Sequence, residues 1–309
     1  MSLRLLSQDS IADAAREGRI ASHLRQPQPL LRLAQRAVRC TTLAESHPLA
    51  DYLRFVALLA QAQAAWLQTT PALTSEEIDR SQYNLAAGYP PLNVSTWPRD
   101  DLWRSALQAI ARTLAYDPDM SEVVRTTAQQ LLSLGGAELE SLADSHLNGD
   151  YAAVGSEFLP FVSAALSVYW SRLAAGLDVS AFTQEEGLDT TCPVCGSAPS
   201  VGVVSVGQDS GLRYLHCALC ESEWHVVRAI CSSCGTGGNL DYFSLDQAKS
   251  SPVRAEACHS CGSYLKVLYP EHLPQVDAVA DDLATLSLDL ALAEQGQQRS
   301  GPCLYVSPG

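Results

Sequence analysis

The sequence lacks any uninterrupted apolar run of 18 residues or more, so it offers no candidate membrane span. Its most apolar stretch, residues 158–177, is broken by Ser163, Ser167, Ser171 and Arg172 and reads as a buried bundle helix. The first residues have no long apolar segment and acquire acids early, which argues against a secretory leader. No Lys/Arg cluster exists either. Twenty basic residues stand against 34 acidic ones, for a formal charge of -14. A chain this acidic repels a phosphate backbone, so nucleic acid is an unfavourable partner. Arg213, Arg228, Arg254 and Lys266 are scattered among acids rather than gathered on one strand. A phosphate-cradling loop is missing as well. Cys234-Gly235-Thr236-Gly237-Gly238 has three glycines but no Lys-Ser/Thr after them, and reads as a turn.

What is there is sulfur. Eight of ten cysteines form four Cys-x-x-Cys pairs: Cys192/Cys195, Cys217/Cys220, Cys231/Cys234 and Cys258/Cys261. Only Cys40 and Cys303 are single. Close pairing argues against a secreted disulfide framework and fits a reducing compartment. Cys40 reads as a small buried hydrophobe, and Cys303 as a free thiol in a polar tail. Eight thiolates suffice for two tetrahedral four-sulfur sites. Taken in order, Cys192, Cys195, Cys217 and Cys220 make one site, and Cys231, Cys234, Cys258 and Cys261 the other. Pairing Cys217/Cys220 with Cys231/Cys234 is the alternative.

Two residues between cysteines let both sulfurs of one turn reach one ion. Gly196, Gly235 and Gly262 directly follow three of the pairs and can take positive φ. Glu221 stands at the fourth such position, which predicts a different geometry for that turn. Cages of this type hold zinc or a single iron. A zinc hydrolase keeps one coordination position open, whereas every expected ligand here is a cysteine. The expectation is therefore no catalytic residue. His216 and His259 adjoin ligands, His225 reads as structural, and His272 beside Glu271 has no recognisable spacing. A dithiol exchanger is the weaker chemical reading, since these pairs lie between short strands rather than at helix starts.

The rest of the chain divides by texture. Residues 1–182 read as an all-helical domain, with helices over 29–41, 49–67, 101–115, 119–134, 137–147 and 157–176. Residues 88–91 (Gly-Tyr-Pro-Pro) form a fixed turn. The polar run 183–190 marks the domain boundary. A four-cysteine module over 183–226 and a second over 227–275 follow, both rubredoxin-like or zinc-ribbon in character. Their short antiparallel strands lie near 201–204, 212–215, 224–228 and 264–269. Units this small need a metal to fold. Residues 276–309 supply a final amphipathic helix over 276–293, punctuated by Asp277, Asp281, Asp282 and Asp289, and a loose tail.

The cysteine motifs and their flanks carry a resemblance. They run Cys192-Pro193-Val194-Cys195-Gly196-Ser197, Arg213-Tyr214-Leu215-His216-Cys217-Ala218-Leu219-Cys220, Glu223-Trp224 and Arg228-Ala229-Ile230-Cys231-Ser232-Ser233-Cys234-Gly235. Arg254-Ala255-Glu256-Ala257-Cys258-His259-Ser260-Cys261, Tyr264-Leu265-Lys266 and the 277–286 tail continue them. Together with Gly88-Tyr89-Pro90-Pro91-Leu92, they resemble the formate dehydrogenase accessory protein family known as FdhE. That resemblance implies a cytoplasmic maturation factor, not an enzyme. Its partner would be the catalytic subunit of respiratory formate dehydrogenase, before export through the twin-arginine route. It also implies rubredoxin-like iron at the eight cysteines, with zinc as the other ion the cages accept. Two further readings are a small iron-dependent redox protein that delivers electrons to the immature enzyme, and a structural zinc-ribbon adaptor.

Overall fold

A computed structural model describes residues 4–5, 22–178, 182, 190–245 and 250–306. Most of the expected boundary run 183–190 lies outside the described residues. The helical half contains α1 (Pro29–Ala44), α2 (Ala50–Thr69), α3 (Ser75–Ala86), α4 (Leu102–Ala115), α5 (Glu122–Ser133), α6 (Gly136–Leu147), the single turn α7 (Tyr151–Val154) and α8 (Leu159–Ala175). Helix α8 is buried on every side along 159–174, as expected for a helix without a polar face. Around it pack α1, α2, α4 and α6, with Trp103, Trp170, Tyr169, Phe161, Leu53 and Leu59 fully buried.

Helix α3 is absent from the sequence-derived set. Its start is nevertheless written locally: Thr74 accepts from Glu77 N, and Glu77 caps Thr74 N in return. Its apolar face is too thin to show periodicity, since Ser81 is its one buried residue.

The other half is one nine-stranded sheet, with β1 (Arg4–Leu5) and β2 (Leu24–Arg25) at its edges. Strands β3 (Pro199–Val204), β4 (Arg213–Cys217) and β5 (Glu223–Val226) pair antiparallel, as do β6 (Leu240–Ser244), β7 (Val253–Cys258) and β8 (Ser263–Leu268). The two three-stranded units join through a parallel β3–β8 pairing at Gly202↔Val267 and Val203↔Leu268.

Beyond the sheet, one expected helix is two, α9 (Ala280–Ala284) and α10 (Leu286–Ala293), with a break at Thr285. Lys266 marks the break. Its ammonium donates to Asp282 O at 2.7 Å and to Thr285 Oγ1 at 3.2 Å, and so sits on the last turn of α9 where the chain breaks. Two of the acids that punctuate this segment are buried: Asp281 and Asp282 are 3% and 2% exposed. Nor is the tail loose through residue 306. Strand β9 (Gln298–Arg299) pairs parallel with β8, and Ser163 donates to Leu304 O. Tyr52 donates to Tyr305 O, with Tyr305 itself buried. Gly301 permits the close passage, because a Cβ there would lie 1.8 Å from Pro199 O.

Candidate metal centres

Each cysteine pair sits on a tight turn closed by its own backbone. Cys192 N donates to Ser197 O and Gly196 N to Cys192 O, both at 2.8 Å. The same pattern recurs at Cys217 N–Ser222 O (2.9 Å), at Cys231 N–Thr236 O (3.0 Å) and at Gly262 N–Cys258 O (2.9 Å). The first and third turns precede β3 and β6, while the second and fourth are the β4–β5 and β7–β8 hairpin turns. Strand pairing therefore brings the sulfurs together in chain order. One cluster holds Cys192, Cys195, Cys217 and Cys220, and the other Cys231, Cys234, Cys258 and Cys261, with all sulfurs of a cluster within 4.8 Å of one another.

Those distances test whether an ion fits. A metal–sulfur bond of about 2.3 Å gives a tetrahedron edge of about 3.8 Å. The inner cluster has sulfur pairs at 3.6 and 3.4 Å, the outer at 3.7 and 3.8 Å. A disulfide would need about 2.0 Å. Both clusters can therefore coordinate a metal ion. Backbone N–H groups of Leu219 and Cys220 point at Cys217 Sγ, and that of Ser233 at Cys231 Sγ, each at 3.4 Å, where they spread thiolate charge.

A hydroxyl residue occurs two positions after the last cysteine of every pair: Ser197, Ser222, Thr236 and Ser263. Ser222 Oγ lies 3.3 Å from Cys220 Sγ, Thr236 Oγ1 3.4 Å from Cys234 Sγ and Ser263 Oγ 3.0 Å from Cys261 Sγ. This fourfold pattern was visible in the sequence.

Glu221 overturns one expectation. Its turn matches the others, with φ at 59° beside 82°, 75° and 70° at Gly196, Gly235 and Gly262. Glu221 adopts the left-handed conformation without being glycine. The reason is its carboxylate, which is 4% exposed and lies 2.7 Å from Arg36 of α1. Arg36, 1% exposed, also reaches Asp277 at 3.2 Å. Next to it, Arg32 pairs with Glu223 at 2.6 Å, and His216 Nδ1 lies 3.6 Å from the same carboxylate. Burial opposes ionisation of Glu221, Glu223 and Asp277. The facing Arg36, Arg32 and His216 outweigh it and hold all three carboxyls below their ordinary values.

A second seam ties the inner cluster to the helices. The Gly88–Pro91 turn delivers Leu92 and Val94 against the first knuckle, where Leu92 N donates to Val194 O at 2.9 Å and Val94 N to Cys195 O at 3.0 Å. Trp170 Nε1 of α8 donates to Leu92 O at 3.0 Å.

None of the histidines joins a cluster. His216 pairs with Glu223, His259 with Asp241 at 2.6 Å, and His225 stacks edge-on against Tyr214. Arg254 lies over the Tyr269 ring and 3.1 Å from His272. Arg213 and Lys266 are not scattered surface charges. Arg213 pairs with buried Glu256, and Lys266, 0% exposed, pairs with Asp282 and Asp289 at 2.6 Å each. Burial pushes the thiols of Cys40 and Cys303 up to about 12, which leaves both as unreactive free thiols.

Three family models match in succession: "FdhE, N-terminal" over residues 21–186, "FdhE, central domain" over 191–228 and "FdhE, C-terminal domain" over 229–306. The chain belongs to the FdhE family. Among FdhE relatives, a protein FdhE homolog of Serratia proteamaculans is 45% identical over 276 residues, covering 89% of this chain and 88% of that protein. Protein FdhE of Escherichia coli is 41% identical over 315 residues, covering 100% of this chain and 99% of its own length. The crystal structure of the FdhE protein from Pseudomonas aeruginosa superposes with a TM-score of 0.85 at 38% identity, over 93% of this chain and all of that one. The likeness thus spans both the helical half and the cysteine-bearing sheet of this chain. No helix among the described residues is long and apolar enough to cross a membrane.

Proposed function

We propose that the chain acts as a non-catalytic maturation factor: it binds the catalytic subunit of respiratory formate dehydrogenase in the cytoplasm and supports its assembly before export. Family membership over the whole length supports this role, as do eight cysteines in two closed cages with no histidine or carboxylate within either. Each cage uses every ligand position on sulfur, so neither has the open position that substrate activation by a metal requires. Cys192, Cys195, Cys217 and Cys220 would hold one ion, and Cys231, Cys234, Cys258 and Cys261 the other. Sulfur geometry fits zinc and iron alike; the family resemblance favours iron. An iron ion would supply one-electron redox capacity, a zinc ion only cross-linking.

The division into a helical domain (1–182), two rubredoxin-like modules (183–226 and 227–275) and a terminal segment (276–309) accords with this reading, except that β1 and β2 of the first segment belong to the edges of the sheet. The helical half and the metal-braced sheet then act as one docking body. Its carrying observation is the buried contact between α1, the Leu92–Val94 segment and the second and first knuckles.

The test is co-purification with the immature catalytic subunit. We expect capture by the parent protein and loss of capture when Arg36→Ala separates the halves, with metal content checked alongside. Undiminished capture by either half alone would reject a joint surface.

A further inference from the structure

The two clusters share a ligand set and differ in access to solvent. In the inner cluster, Cys192 is 1% exposed and Cys195, Cys217 and Cys220 are each 0% exposed. Leu92, Val94 and the second-knuckle contact with Arg36 cover it from the helical side. In the outer cluster, Cys231 and Cys258 are buried, but Cys234 and Cys261 are exposed. One face of that cage therefore opens to solvent through two adjacent sulfurs, one from each knuckle.

The rim of the open face is built from small groups. Ser233, Gly235, Thr236, Gly237, Gly238 and Ser260 are all exposed around the two sulfurs. Among the described residues of these two knuckles, His259 is the one ionisable side chain besides the four cysteines, and Asp241 holds it at 2.6 Å. A chain with formal charge -14 thus presents a nearly uncharged, sterically open approach to one of its two cages. The inner cage, by contrast, lies beneath the helical half.

We propose that the outer cluster is the exchange site of the protein: its ion passes to and from competing thiol or nitrogen ligands through Cys234 and Cys261, while the inner ion is locked in until the halves separate. The inference rests on the reading that both cages hold metal. Exchange is associative. With an ion bound, an incoming ligand would replace Cys234 or Cys261 as its ligand, and the released thiolate would take a proton from solvent. No electron moves, and the ion keeps its oxidation state throughout. The inner ion has no such route, because no sulfur can leave without uncovering buried surface. Its release therefore follows the large opening that unfolding requires, not a local fluctuation.

The experiment uses full-length protein isolated anaerobically, with metal content measured first. A chromogenic bidentate chelator is then added in excess, and metal release is followed by absorbance. Two phases of one equivalent each are expected, separated by at least about tenfold in rate. The slow phase alone should accelerate with sub-denaturing guanidinium. Cys234→Ser should speed the fast phase and leave the slow one unchanged. Should that variant fail to fold, alkylation mapped by mass spectrometry on the parent gives the same answer. During the fast phase, label should enter Cys231, Cys234, Cys258 and Cys261 ahead of Cys192, Cys195, Cys217 and Cys220. Two ions leaving in one phase, or equal labelling of both sets, would overturn the inference and leave the metal reading intact. Protein compact yet free of metal from the start would overturn both.

Discussion

Substituting Glu221→Gly pits backbone strain against buried charge. In the parent, an L-residue holds φ at 59°, a conformation that costs roughly 1–2 kcal/mol and that glycine adopts freely. On strain alone the variant would be more stable. Against this stands Arg36, 1% exposed, which loses its 2.7 Å partner and retains Asp277 at 3.2 Å. Removing one member of a buried pair costs about 3–5 kcal/mol, because the remaining charge is left poorly compensated. The difference predicts a net loss of about 1–4 kcal/mol. Arg36→Met alone should cost about 3–5 kcal/mol, by leaving the Glu221 carboxylate buried without its counter-ion. The double variant should be more stable than Arg36→Met. Asp277 survives the loss of Arg36 because it still accepts from Val279 N at 2.9 Å and Ala280 N at 2.8 Å. Guanidinium unfolding of metal-loaded protein, followed by tryptophan fluorescence, measures all four corners of the cycle. Trp224 reports on the sheet and Trp103 and Trp170 on the helical core, all three fully buried. A Glu221→Gly protein as stable as the parent would refute the reasoning, as would a double variant no better than Arg36→Met.

Three other outcomes follow from the same physics. Lys266→Met should destabilise the chain by about 3 kcal/mol in the same unfolding assay, because it leaves Asp282 and Asp289 to share Arg299. Burial lowers His146 to about 4, so the folded state keeps it neutral while the unfolded chain protonates near 6.5. Its stabilising contribution is present above pH 6.5 and lost as pH falls toward 4, about 2 kcal/mol of it between pH 6.5 and 5. His146→Gln should flatten that part of the stability–pH curve. Finally, truncation after Gln297 removes β9 and the buried Leu304 and Tyr305, and should lower stability by about 3 kcal/mol or more; an unchanged unfolding midpoint would restore the loose tail that the sequence implied.

Six of the seven helices of 12 residues or more and four of the six core strands announce themselves in the sequence, because periodicity survives where one face is buried. The four cysteine pairs are legible from spacing, but spacing left two groupings open, and strand pairing decides which turns meet. Strands β6 and β7 were harder to read. They lie between the third and fourth cysteine pairs, where residues 240–244 and 253–258 mix acids with apolar groups. Asp241 and Glu256 take ion-pair partners, His259 and Arg213, from other segments. The same limit applies to Asp281, Asp282 and Lys266. A charged residue reads as exposed unless its partner is known, and these partners are 15 or more positions away in the chain or lie in α1. Glu221 stands out in the sequence as the one departure among four knuckles, but only the placement of α1 shows what its side chain reaches.

That placement makes the inner cage more than a clamp for its own module. The two knuckles of this cage face different parts of the helical half: the first takes hydrogen bonds from Leu92 and Val94, the second an ion pair from Arg36. An ion between them fixes the separation of the knuckles, and so fixes two docking points for the helices at once. Metal binding free energy at such a site is folding free energy for whatever depends on its geometry. Among the described residues, the knuckles of the outer cage make no such ion pair with α1; the outer unit joins the rest of the molecule through the β3–β8 pairing and through Leu288 and Leu292 of α10, which pack on Ala255, Ala257 and Tyr264. Identical ligand sets can thus serve unequal purposes. On the proposed reading, an ion in the inner cage would hold the helical half and the sheet in register, and one in the outer cage would exchange without disturbing it.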